Sequence, residues 1–118
     1  MRYLLTIHAD ENRQSSEEDN NKLFGEYMEY TNAMKAAGVW VAGEALTPSA
    51  AGTQVRVRDG KATITDGPFT ETKEVLGGYY LMEVKSKEEA IDWGKRCPDA
   101  KNGTIQLREI WDFGSAAP

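Results

Sequence analysis

The segment TQVRVRDGKATIT, Thr53 to Thr65, decides how the chain is parsed. Thr53-Gln54-Val55-Arg56-Val57-Arg58 and Lys61-Ala62-Thr63-Ile64-Thr65 are short β-prone runs, separated by Asp59-Gly60. A type I′ turn needs positive φ at both central residues, which glycine adopts freely and aspartate tolerates, so the segment reads as a hairpin. Val55 and Val57 share one face of it, and Arg56 and Arg58 share the other. A hairpin is closed by its own hydrogen bonds, so it can be treated as an insertion between its flanks.

On the N-terminal flank, residues 2–8 read as a strand in which Tyr3, Leu5 and Ile7 alternate with Arg2, Thr6 and His8. Leu4 interrupts the alternation, as in a strand covered on both faces. Residues 9–14 are polar and turn-like. Ser15 with Glu18 fits a capping box, and Leu23, Phe24, Tyr27, Met28, Thr31, Met34 and Ala37 follow at helical spacing. Lys35 in the last turn and Gly38 beyond it close a helix running from about 16 to about 37. Val39-Trp40-Val41-Ala42 is a second strand, closed by Gly43-Glu44, and a loop of small residues leads from there to the hairpin.

The C-terminal flank repeats this plan. Val75 to Val84 is a strand whose early Gly77-Gly78 implies a bulge or a close backbone approach. Ser86 with Glu89 is a second capping box, opening a helix through Ala90, Ile91, Trp93 and Gly94 that ends before Pro98. Asn102-Gly103 turns the chain into a last strand, residues 104–110, and residues 112–118 form an expected flexible tail. With the hairpin removed, the order is β-α-β followed by β-α-β. That is the ferredoxin-like split βαβ, an α+β fold with two helices on one face of an antiparallel sheet. The other face needs a cover. Trp40, Tyr79, Tyr80, Trp111 and Phe113 could supply apolar surface for it, so a homodimer is expected.

At 118 residues, the chain is one domain with no internal repeat, and 40% hydrophobic with 28% charged residues is ordinary for a folded soluble protein. A net charge of −5 argues against an extended nucleic-acid surface. No apolar run approaches the ~20 residues of a membrane span, and the N-terminus does not read as a signal peptide. The single Cys97 cannot form an internal disulfide, which fits a cytoplasmic protein. One cysteine and one histidine cannot make a structural zinc site, and no phosphate-binding glycine loop or serine elbow is present. No metal and no cofactor is expected.

The hairpin returns through Asp66-Gly67-Pro68-Phe69, a turn in which Pro68 fixes φ, Gly67 permits positive φ and Asp66 can bond a nearby amide. Asp66 is either part of a register-keeping turn or a positioned carboxylate able to move a proton. In Thr70-Glu71-Thr72-Lys73-Glu74, Glu71 and Lys73 share one face if the chain is extended, with Arg56 and Arg58 as candidate partners. His8, close to Asp10, is the only His-acid neighbourhood in local sequence. Asp66 and His8 are therefore the candidate catalytic residues. Glu44, Arg56, Glu71, Lys73 and Tyr79 are the candidate groups for a small polar or aromatic ligand.

Several of these blocks also carry a resemblance. Ala37-Gly38, Gly43-Glu44-Ala45-Leu46, Val55-Arg56, Asp59-Gly60, Asp66 through Glu74, Gly77-Gly78-Tyr79-Tyr80, Glu89 through Trp93 and Arg96-Cys97-Pro98 resemble the YCII-related family, specifically its DGPF branch. The match extends to about residue 110. It implies a dimeric α+β barrel, two ferredoxin-like sheets face to face. Some members of the family look like small-molecule enzymes that depend on a His-Asp pair, with the histidine in or near the first helix. Residues 16–37 contain no histidine, so that pair is not carried over. The branch also occurs beside extracytoplasmic-function sigma factors, which implies a non-catalytic dimeric interaction or regulatory module as the alternative to a ligand-binding protein or enzyme with acid/base residues in a barrel cleft.

Overall fold

The computed structural model describes residues 1–13, 15–69 and 73–114. Four strands, β1 (Arg2–Ala9), β2 (Trp40–Ala45), β5 (Val75–Glu83) and β6 (Thr104–Glu109), form an antiparallel sheet in the order β2-β5-β1-β6. Helices α1 (Glu17–Ala36) and α2 (Lys87–Arg96) pack on one face of it. β3 (Thr53–Arg58) and β4 (Lys61–Asp66) make a separate two-stranded sheet. This is the split βαβ fold with an inserted hairpin. No helix among the described residues is long and apolar enough to cross a membrane.

Strand parity builds the core. Tyr3, Leu5 and Ile7 of β1 and Tyr80 and Met82 of β5 point toward the helices, where they meet Tyr30, Met34, Ala90 and Trp93. Leu5, Met34 and Met82 are completely buried. Tyr30 makes edge contacts with Tyr80 and Trp93 at centroid distances of 5.4 and 5.9 Å, and its hydroxyl donates to the Trp93 carbonyl at 2.7 Å.

The turn chemistry largely follows the residues. Asp59 and Gly60 have φ of 51° and 77°, and Gly38 closes α1 at 76°. Gly78 pairs with Ile7 and Leu76 with His8, so Gly77 is the extra residue of a bulge. Ser86 accepts from the Glu89 amide at 3.1 Å, as a capping box requires.

Five expectations need correction. The first is that Trp40 and Tyr80 serve the sheet face away from the helices; Tyr80 is in the core against Tyr30, and Trp40 packs against that core. The cap of α1 is Ser16, which accepts from the Asp19 amide at 3.0 Å, while Ser15 bonds the Asn20 side chain. β2 runs through Gly43 and Glu44 to Ala45, because Gly43 and Glu44 pair with Tyr80 and Tyr79. Gly67, on the N-terminal side of a cis bond to Pro68, is not used for positive φ; a Cβ there would lie 2.9 Å from the Ser49 carbonyl oxygen. The buried residues of α1 are Tyr30 and Met34, while Phe24 and Met28 are exposed. The N-terminal half of α1 overhangs the sheet edge, so its apolar residues reach a cleft and solvent rather than the core.

Candidate functional site

The overhang creates a cleft of about 540 Å³ between α1 and the β1, β2 and β5 backbones. Leu23, Tyr27, Thr31 and Lys35, four residues apart, form its helical wall. Ile7, Trp40 and Tyr80 contribute from the sheet, Phe24 stands at the helix margin, and Asp99 contributes a carboxylate.

Asp99 is held there by local chain logic. Proline restricts the residue before it to extended backbone, so Cys97 leaves the helical region at the end of α2. Pro98–Lys101 then makes one 3₁₀ turn, whose Asp99 carbonyl accepts from the Asn102 and Gly103 amides at 3.1 and 2.7 Å. The Lys101 ammonium meets Glu26 of α1 at 3.0 Å and ties the turn to the helix. Asp99 is only 8% exposed, and its Oδ2 accepts from the Tyr27 hydroxyl at 2.6 Å. Burial, followed by this hydrogen bond, raises the Tyr27 phenol far above its ordinary range, so it remains a proton donor at neutral pH.

Further polar groups lie in or against the cleft. The Tyr80 hydroxyl shares a 2.7 Å hydrogen bond with Thr31, and burial raises its pKa as well. The buried Trp40 Nε1 has no hydrogen-bond partner among the described residues, and Lys35 Nζ lies 4.6 Å from the centre of the Trp40 ring. Cys97 Sγ lies 3.9 Å from the Tyr27 oxygen, and burial pushes its thiol up to about 11. It is a packed thiol rather than a nucleophile, as its place before Pro98 implied.

The structure distributes the sequence-derived candidates over different places. Glu44 and Tyr79 pair across β2 and β5 at the cleft margin. Parity turns their side chains to the face opposite Tyr80. Tyr79 pairs with Thr6 on that face, and Thr6 Oγ1 bonds His8 Nε2 at 2.9 Å, which gathers Glu44, Tyr79, Thr6 and His8 into one outer-face row. Asp66 is exposed at the end of β4 and accepts from the Thr53 hydroxyl at 2.9 Å. Arg56 and Lys73 are exposed, and neither lines the cleft. Glu71 lies outside the described residues. No group of three or more His, Cys, Asp or Glu among the described residues is placed to hold a metal. Sequence reasoning missed Tyr27, Trp40 and Asp99 as site groups. The available signals were two hydroxyl residues, Tyr27 and Thr31, within an apolar helical stripe, and an aspartate directly after a helix-ending proline.

Comparison with known proteins agrees with this fold. The family model described as the YCII-related domain matches residues 1–114. An uncharacterized protein of Rhizobium meliloti is 30% identical over 114 residues, covering 93% of this chain and 92% of that one. Among solved structures, the chain is similar to 5-chloro-2-hydroxyhydroquinone dehydrochlorinase from Burkholderia phenoliruptrix, in complex with 2,5-dihydroxybenzoquinone. The TM-score is 0.53 at 20% identity, with 97% of this chain and 96% of that chain covered.

Proposed function

The chain belongs to the YCII-related family, and we propose that its cleft binds a small, flat, hydroxylated molecule and moves a proton on it. The observation that carries this reading is the Tyr27–Asp99 hydrogen bond of 2.6 Å in a cleft whose other walls are mainly apolar and aromatic. Ring faces at Phe24, Tyr27, Trp40 and Tyr80 suit a planar ligand. Tyr27 fixes Oδ2 of Asp99, and Oδ1 is the atom that takes a proton from a ligand hydroxyl: the O–H bond breaks and its electron pair stays on the ligand oxygen. The Lys35 ammonium, which lines the cleft, favours a ligand oxygen that gains negative charge. The dehydrochlorinase neighbour was solved with a dihydroxybenzoquinone, which sets the first compounds to try.

The test is a thermal-shift screen with hydroxylated benzenes and benzoquinones. Ligand at 100 times its Kd adds about 2.7 kcal/mol to apparent stability. That shift is expected in wild type and in Asp66→Ala, and lost in Asp99→Asn. A screen without any shift, or loss in Asp66→Ala with retention in Asp99→Asn, would overturn the reading.

A second reading has its own observation. The sheet face opposite the helices carries Leu4, Tyr79 and Leu81, which no other layer among the described residues covers. Packing that face on a second copy would close a dimeric α+β barrel. If the cleft takes no ligand, this surface supports a non-catalytic dimeric module of the kind found beside extracytoplasmic-function sigma factors.

A further inference from the structure

Resting on the binding of a hydroxylated ring at Asp99, we propose that the ligand of the cleft is elongated: the ring carries an apolar tail that ends in a carboxylate at Lys35. Size is the first ground. A cavity of about 150 Å³ holds one benzene molecule. The cleft encloses about 540 Å³, so a single ring leaves most of it unfilled. The unfilled space runs along the helix, because α1 lines the cleft from Asn20 to Lys35, about 22 Å of axis at the α-helical rise. Tyr27, whose hydroxyl donates to Asp99, stands near the middle of that wall. Lys35 lies about 12 Å farther along the axis.

Charge sets the direction of the tail. Lys35 is the one basic residue lining the cleft among the described residues, and it has no ion-pair partner among them. Its ammonium lies over the ring of Trp40, another wall residue, 4.6 Å from the centre. From there it acts on the ring oxygen at Asp99 only through space, and the group it can touch is a second anion. Between the two ends, the Thr31 and Tyr80 hydroxyls bond one another at 2.7 Å, so an alkyl chain passing them leaves neither without a partner. Toward Asn20 the wall is Leu23 and Phe24, with no basic residue to meet an anion. A single ammonium balances a single negative charge, which favours a carboxylate over a phosphate dianion.

The test is isothermal titration calorimetry of the full chain with para-cresol, with ω-(para-hydroxyphenyl)alkanoic acids of increasing tail length, and with the methyl esters of those acids. Each added methylene that the cleft buries should lower the Kd of the acids by about fourfold. The acids should bind tighter than their esters only when the tail spans the ~12 Å to Lys35. For those long acids the preference is expected to be about tenfold or more, as for a hydrogen bond between charged groups. Lys35→Met keeps an unbranched side chain beside Trp40 and should abolish the preference, whereas Lys35→Arg should retain it. The length dependence is read in wild type and needs no variant. Asp99→Asn should weaken para-cresol and the acids alike. If para-cresol binds and is lost in Asp99→Asn, the ring site stands; acids that then gain nothing with length, or whose preference over the ester survives Lys35→Met, would overturn the tail alone. Binding unchanged in Asp99→Asn, or no binding by any of these probes, would overturn both.

Discussion

Replacing Tyr27 by phenylalanine removes one oxygen and leaves the ring, so it isolates the hydrogen bond to Asp99. The acceptor is a carboxylate that is 8% exposed, and the bond is 2.6 Å long. Hydrogen bonds to charged groups contribute about 1.5–3 kcal/mol, and loss of the donor also leaves a buried oxygen less well satisfied. At about 2.1 cal/mol/K of unfolding entropy per residue, 118 residues give a Tm change of about 4 °C per kcal/mol. Tyr27→Phe should therefore lower Tm by about 6–12 °C at neutral pH, measured by calorimetry with matching urea titrations. Asp99→Asn keeps a carbonyl oxygen for Tyr27 and should cost less, about 0.5–1.5 kcal/mol. If Tyr27→Phe melted within about 2 °C of wild type, the bond would have no energetic weight and the reasoning that anchors Asp99 through it would fail.

Two other predictions follow from packing and titration. Gly43→Ala would bring a Cβ to 2.6 Å from Tyr80 Cδ1, so it should cost about 1–3 kcal/mol by urea unfolding; an unchanged midpoint would mean that β2 moves freely from Tyr80. Cys97, raised from an ordinary 9.0 to about 11 by burial, favours the protonated thiol in the folded state. Its contribution to stability is full below pH 9 and is lost as pH rises through about 11. A thiol reagent at pH 7.5 should label Cys97 only at the rate of unfolding, and rapid labelling of the native protein would contradict its burial.

Much of the fold was legible because it is written locally. Asp59-Gly60 specifies its turn, Ser86 and Glu89 specify a helix start, and alternation along β1 and β5 specifies the core face. The site was less legible for two physical reasons. Tyr27 and Asp99 meet across 72 residues of sequence, and only the packing of α1 beside the 3₁₀ turn brings them together. Strand parity sets His8, Glu44 and Tyr79 on the face opposite Tyr80, and sequence cannot assign inner and outer faces when both carry apolar residues. Leu4 and Leu81 lie on the outer face beside His8 and Tyr79, while Leu5 and Met82 lie on the inner one. The sequence pattern predicts the hairpin, but it does not show that Val55, Val57 and Ile64 stand exposed.

The cleft itself is tested most directly by the indole N–H resonances of the three tryptophans, assigned by single Trp→Phe variants and followed while hydroxylated benzenes and benzoquinones are titrated in. Only Trp40 lines the cleft, and its buried N–H has no partner among the described residues. A ligand that seats against Asp99 should shift the Trp40 signal in a saturable way, leave Trp93 and Trp111 nearly still, and lose this effect in Asp99→Asn. A Trp40 signal that stays fixed across the whole series, or that moves identically in Asp99→Asn, would contradict the account.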